Sequence, residues 1–171
     1  MHHTDFQINL TKSLNRRPQA QAVLKGSDRY PTIRGTVRFY QTPIGVLVFA
    51  EVMGLPDPAD LCNSPIFAFH IHSGNACTGN ADDPFANAGT HYDPDGCPHP
   101  YHAGDLPPLF GVQGYAVSVI LTDRITVREI LGKTVVIHEG LDDFSSQPAG
   151  NAGDKIACGQ IVSFEGSRGL S

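Results

Sequence analysis

The strongest constraint on the fold is a series of short segments in which apolar and polar residues alternate. Residues 20–26 (AQAVLKG), 33–41 (IRGTVRFYQ), 67–72 (FAFHIH), 115–121 (YAVSVIL), 133–138 (KTVVIH) and 156–164 (IACGQIVSF) carry the pattern, and 45–53 (GVLVFAEVM) is a more continuous apolar run. Successive side chains of a strand point to opposite faces, so alternation with a period of two marks a half-buried strand. Clusters of Gly, Pro, Asp and Ser separate the segments, as antiparallel strands joined by turns require. The pattern predicts seven or eight strands and at most one helical turn, near 126–131, which makes the chain all-β, a sandwich or a barrel. No linker or internal repeat divides the 171 residues, so one domain is expected over 1–171, with 1–17 as an N-terminal extension.

Two stretches break the rhythm. Residues 75–111 show little β pattern and are rich in Gly, Pro, Asp, Asn and His, and 139–154 is a shorter stretch of the same character. Long irregular connections inside a compact domain are mostly functional or disordered, and the first of these holds most of the candidate ligands. Six of the eight histidines fall between positions 70 and 138. His70 and His72 lie two apart on a predicted strand and so on one face, where two imidazoles can serve one ion. Alone, an H-x-H pair is more often a bystander than a ligand. His91, His99, His102 and Asp105 follow within fifteen residues. Three imidazoles and a carboxylate satisfy a tetrahedral zinc with no open position, the pattern of a structural metal. His138 closes an apolar strand, where a lone histidine is ordinarily structural; its weight comes from the other five.

In order along the chain, FHIHSGNACTG, GTHYDP, HAGDLPPL, VVIHEGLDDF and GNAGDKIACG resemble the signature blocks of the copper/zinc superoxide dismutases, and the likeness extends over about residues 20–161. The resemblance implies an eight-stranded Greek-key β-barrel with two long functional loops, a zinc/disulfide loop and an electrostatic loop. It implies an enzyme that disproportionates superoxide to dioxygen and hydrogen peroxide, with copper and zinc as cofactors. Carried over by position, copper would be held by His70, His72, His91 and His138, and zinc by His91, His99, His102 and Asp105, with His91 shared. Four imidazoles suit copper(II), and a tetrahedral set containing a carboxylate suits zinc. The catalytic groups would be His91, which carries a proton, His138, and Lys155, which guides superoxide. Asp142 matches the outer carboxylate that joins one copper ligand to one zinc ligand. Cys77 and Cys158 match the family's intrasubunit disulfide. Many members are homodimers, so a second copy joins superoxide as an expected partner.

The chain departs from the family pattern in three places. Where the family has GNAG-x-R, this chain reads GNAGDK. Lys155 keeps the charge but loses the planar fork that grips an anion at two points, so anion docking is expected to weaken by about 1 kcal/mol. With Asp154 next to it and a net charge of -5, anion capture must rest on local focusing. His99 and His102 are three apart, closer than the family places them, which leaves a Cys97 thiolate as the alternative to His99. Cys62 and Cys97 are additional cysteines; a second bridge between them is preferred, with free thiols and metal ligation by Cys97 as the other readings. The rival function is a non-catalytic copper- or zinc-binding homologue, such as a copper carrier. Loss of a copper ligand would favour it, and all four are present.

Other partner classes are disfavoured. The net charge of -5 argues against nucleic acid. No stretch approaches the ~20 apolar residues of a membrane helix. MHHTDFQINLTKSLNRRPQ lacks the apolar core of a signal peptide, so a cytoplasmic protein is expected, or an extracytoplasmic one where the start has been processed or engineered. His2 and His3 read as a cloning remnant or, if native, as a copper(II) chelate with the terminal amine.

Overall fold

The computed structural model describes residues 10–57 and 65–164. His2, His3 and Cys62 lie outside the described residues. Eight strands carry the fold: β1 (Ala20–Gly26), β2 (Arg34–Thr42), β3 (Gly45–Met53), β4 (Ile66–His72), β5 (Asp105–Phe110), β6 (Tyr115–Thr122), β7 (Thr134–His138) and β8 (Lys155–Ser163). All ladders are antiparallel, in the order β5-β4-β7-β8-β1-β2-β3-β6. β1, β2 and β3 form a meander. The chain then crosses to β4 and β5 and returns so that β6 lies beside β3 and β7 beside β4, a Greek-key connection. Leu24, Phe39, Val48, Phe69, Leu109, Ala116, Ile137 and Ile156, one from each strand, share a single interior, so the sheet curls into a nearly closed barrel with β5 and β6 as its edges.

The alternation read from sequence places seven of these strands to within a residue or so. β5 is a correction: it lies inside the stretch read as irregular. Its sequence DLPPLF contains Pro107 and Pro108, which cannot donate to a ladder. The pairing with β4 passes from Phe67↔Leu109 to Phe69↔Leu106 across a register shift opposite these prolines, and β5 is an edge strand, so no central ladder is broken. A second correction is the helical turn α1 (Leu10–Leu14), too short to show a helical period in sequence. The expected turn is α2 (Val127–Ile130). Thr126 caps it by accepting from the Glu129 N–H at 3.4 Å, and Val127 and Ile130 are buried in the core.

What places the site is the outer face of β4 and β7. Phe67, Phe69 and Ile71 fill the barrel, so Ala68, His70 and His72 point outward, yet all three are buried. The two irregular stretches cover them. The first runs back along β4 through Ser73 N–H to Thr90 O (2.8 Å), Tyr92 N–H to Ile71 O (2.8 Å) and Ile71 N–H to Gly104 O (2.9 Å). The second is tied on through Ala68 N–H to Gly140 O (2.8 Å). Beneath the first loop Phe85, Ala88, Val136 and Cys158 make a small satellite core, and the Cys77–Cys158 disulfide closes over it.

Candidate metal centre

Two donor clusters share one residue. His70, His72, His91 and His138 form the first, and His91, His99, His102 and Asp105 the second; within each, the ligand atoms lie within 4.8 Å of one another. The six histidines expected from sequence are brought together, as is Asp105. Cys97 belongs to neither cluster; it is a half-buried free thiol.

The first cluster is built on strands. His70 and His72 project from the outer face of β4, and His138 ends β7, the strand paired with β4. Each ring is held by its other nitrogen. His72 Nδ1–H donates to Gly89 O (2.8 Å), His138 Nδ1–H to Gly153 O (3.1 Å) and His70 Nε2–H to Asp142 Oδ2 (3.0 Å). These bonds fix the tautomers and leave His72 Nε2, His138 Nε2 and His70 Nδ1 as bare acceptors.

The second cluster hangs on the first loop. His91 forms an isolated bridge with His72, and Asp105 opens β5 opposite His70. Asp105 Oδ1 lies 2.7 Å from His91 Nδ1, and its Oδ2 lies 3.1 Å from both His99 Nδ1 and His102 Nδ1 while accepting the His102 N–H at 3.0 Å. His99 is oriented from behind, its Nε2–H donating to Asp142 Oδ1 at 2.8 Å. Asp142, 1% exposed, thereby joins a ring of the first cluster to a ring of the second.

This arrangement fits metal ions. His72 Nε2 and His138 Nε2 face each other at 3.2 Å although the hydrogen of each ring is committed elsewhere, so two lone pairs converge. His70 Nδ1 and His91 Nε2 are buried without a hydrogen-bond partner. Unpaired buried polar atoms are costly, and a cation among four such nitrogens removes the cost. Three of these rings, His70, His72 and His138, are also kept neutral, as ligands must be. Burial, then the neighbouring His91, lowers His70 to about 2. Burial likewise carries His72 well below its usual value and His138 to about 4, the latter against the opposing Gly153 hydrogen bond. For Asp105 burial acts upward, but the His91 hydrogen bond and the surrounding imidazoles outweigh it and bring the acid to about 2. A carboxylate beside imidazole donors completes a set suited to zinc, and four imidazoles suit copper.

The first cluster opens on a cavity of about 490 Å³ lined by His72, His91 and His138. Its charged lining comprises Arg29 and Lys155 against Asp82, Asp83, Asp93 and Asp154. Both cations are paired: Arg29 Nη1 lies 3.3 Å from Asp154 Oδ2, and Lys155 Nζ is hydrogen-bonded to Asp83 Oδ2. Lys155 faces His138 across the β7–β8 ladder.

Three contributors are not apparent from sequence. Gln147 grips the His99 backbone from the second loop, accepting its N–H at 3.0 Å and donating to its carbonyl at 2.7 Å. Gly150 has a φ of 66°, and a Cβ there would collide with Asp142 Oδ1 and lie 2.7 Å from His99 Nε2. Asp83 is the partner of Lys155. All three make contacts that join distant parts of the chain, which residue spacing does not report.

Residues 33–161 match the family model described as copper/zinc superoxide dismutase. A Cu-Zn superoxide dismutase of Photobacterium leiognathi is 36% identical over 141 residues, covering 74% of this chain and 78% of that protein. The human copper chaperone for superoxide dismutase is 30% identical over 161 residues, 86% of this chain but 54% of that protein. Among solved structures, the Cu/Zn superoxide dismutase from Brucella abortus superposes with a TM-score of 0.69 at 26% identity, covering 82% of this chain and 98% of that one. Together with the disulfide and the two donor clusters on the outside of an eight-stranded barrel, these matches establish that the chain belongs to the copper/zinc superoxide dismutase family.

Proposed function

We propose that this chain disproportionates superoxide to dioxygen and hydrogen peroxide at a centre in which His70, His72, His91 and His138 hold copper and His91, His99, His102 and Asp105 hold zinc. Bound there, copper supplies one-electron redox chemistry, and zinc supplies a fixed positive charge without redox activity. The protein's part is binding, orientation and proton supply. His72 and His138 line the cavity by which a small anion arrives, and His70 lies fully buried behind them. Reducing superoxide to hydrogen peroxide consumes protons. His91 Nε2, buried and without a hydrogen-bond partner beside the cavity, would hold a metal or a proton but not both, so it is the position that would carry and deliver a proton whenever it is not serving as a ligand. Asp105, against His91 Nδ1, keeps the ring in place. Lys155, in the cavity wall beside His138, docks the incoming anion.

The observation that carries this reading is the convergence of His72 Nε2 and His138 Nε2 at 3.2 Å with their other nitrogens already bonded. Metal analysis alongside a superoxide-decay assay tests it. The wild type is expected to hold copper and zinc in equal amounts, and His138→Ala to lose at least ~100-fold in rate. Full activity in that variant would refute the assignment. The same assay separates the enzyme from a non-catalytic copper carrier, and an intact first donor set open to a cavity supports the enzyme.

The partner surface proposed for a homodimer is the outer face of β6, where Tyr115, Val117, Val119 and Leu121 stand exposed in one row. A contiguous exposed apolar row favours protein contact. Val117→Lys with Val119→Lys should leave a monomer in sedimentation; an unchanged dimer would place the contact elsewhere. The acidic balance supports a function without nucleic acid, and no helix among the described residues is long and apolar enough to cross a membrane.

A further inference from the structure

The two cations of the cavity wall differ in depth. Arg29 and Asp154 are 69% and 64% exposed in their side chains, so water and salt screen that pair. Lys155 is 16% exposed and Asp83 37%, which leaves their fields less screened. Asp83 is also presented by a built turn. Its Oδ1 accepts the Phe85 N–H at 3.0 Å, and Asn80 Oδ1 accepts the N–H groups of Asp82 and Asp83, each at 2.9 Å. Phe85 packs into the satellite core against Cys158, and Cys77 bonds Cys158, so the loop carrying Asp83 is anchored on β8, three residues from Lys155. Burial acts to raise the Asp83 carboxyl, but the Lys155 and Phe85 hydrogen bonds outweigh it and hold the group below the usual carboxylate range, so Asp83 stays ionised opposite the ammonium.

We propose that Asp83 is the positioning residue of Lys155: it holds the ammonium in the cavity wall beside His138 and, as a counter-charge, restrains the capture of small anions at the copper-side cavity. The inference rests on the reading of Lys155 as the anion-docking group. A lysine ammonium is a compact point charge on a flexible stem, so without an anchor it has other places to go. A carboxylate anchor fixes it at a cost in local positive potential.

The two effects separate by substitution. Asp83→Asn keeps an acceptor for Nζ–H and removes the charge, whereas Asp83→Ala removes both. Azide serves as the probe, its dissociation constant on the copper- and zinc-loaded protein read from the optical spectrum. Metal content and the disulfide are checked by mass in each variant. At low ionic strength Asp83→Asn is expected to bind azide roughly fivefold more tightly than the wild type, with the gain shrinking as salt rises. Asp83→Ala should gain clearly less than Asp83→Asn, and the difference between the two should vanish in a Lys155→Ala background. Azide binding by Asp83→Asn no tighter than wild type, or the same in the Asn and Ala variants, overturns the role given to Asp83. Azide binding unchanged by Lys155→Ala alone overturns the reading of Lys155 itself, so the two failures are told apart.

Discussion

The two halves of the metal centre share His91 but are supported in different ways. The histidines proposed for copper, His70, His72 and His138, stand on β4 and β7, neighbouring strands whose inner faces are packed into the barrel. Their spacing is set by the ladder, and their rings are fixed by the carbonyls of Gly89 and Gly153 and by Asp142. His99 and His102, proposed for zinc, lie on a loop. Asp142, Gln147, Asp105 and the backbone path past Gly150 hold them, and the disulfide ties the same loop to β8. The first set has its backbone positions placed by strands and only its ring orientations fixed from the loops, whereas His99 and His102 are placed by cross-links between loops throughout. The copper side should therefore survive perturbations that scatter the zinc side.

Removing the disulfide is the largest such perturbation. Cys77 and Cys158 are 81 residues apart in sequence, and closing a loop of that length stabilises by roughly 4 kcal/mol in the chain-entropy account. Cys77→Ser should lower the denaturation midpoint accordingly, measured in urea on metal-free protein. On loaded protein zinc should dissociate before copper. Equal loss of both metals would erase the distinction between the halves.

Acid should separate them by pH window. An ordinary imidazole titrates near 6.5, and His138 in the folded chain is lowered to about 4. Between those values the unfolded chain binds a proton that the folded chain refuses. The contribution of His138 is therefore complete above about pH 6.5 and is lost as pH falls towards 4, on the order of 3 kcal/mol in all. His70 and His72, lowered further, extend the loss to more acid pH. Asp105 on the zinc side, lowered from 3.8 to about 2, gives up its contribution only below about pH 4. Urea midpoints of the metal-free protein between pH 7 and 4 should fall steadily, and His138→Gln should flatten the slope.

Gly150→Ala attacks the crossing point of the loops. Its Cβ would need the space of Asp142 Oδ1 and press on His99 Nε2, at a φ of 66° that disfavours any side chain. Disturbing the partner of a ligand costs about 10–100-fold in metal affinity. Zinc affinity should fall near the upper end of that range and copper affinity less, because of the four histidines in the first cluster only His70 rests on Asp142, and on Oδ2 rather than the Oδ1 that the Cβ displaces. Competition with a chelator, read for each metal, makes the comparison.

The same division decides what could be read from the sequence. The face shared by His70 and His72, at i and i+2 on an alternating segment, was legible, although the pair and His138 gained weight as ligands only from the other histidines. An all-β sandwich or barrel follows from six alternating segments and one apolar run. β5 escaped because Pro107 and Pro108 carry the signature of a turn, although an edge strand with a register shift tolerates them. The loop donors were legible as a set, three imidazoles and a carboxylate within fifteen residues, but the sharing of His91 came only through resemblance, because nothing in the interval from His91 to Asp105 dictates a path in space. The supports of that loop were not legible. Gln147 meets His99 from 48 residues away, and Asp83 meets Lys155 from 72. Such contacts depend on how two loops cross, which local pattern does not encode.

The smallest effect gives the finest test of this division. Gln147 makes a two-point contact with the His99 main chain and lies against no metal-binding atom, so its loss leaves the donor set chemically complete. Replacing it with alanine removes two part-buried hydrogen bonds to the His99 main chain, a net cost of about 1 kcal/mol. If the zinc side is held by loop cross-links, that cost should appear as roughly fivefold weaker zinc binding with copper affinity unchanged. The strand-side control is Thr134→Val on β7, a buried residue outside both donor clusters, which should change stability but neither metal affinity. A fall in copper affinity with Gln147→Ala would mean that the strands do not hold their ligands independently of the loops.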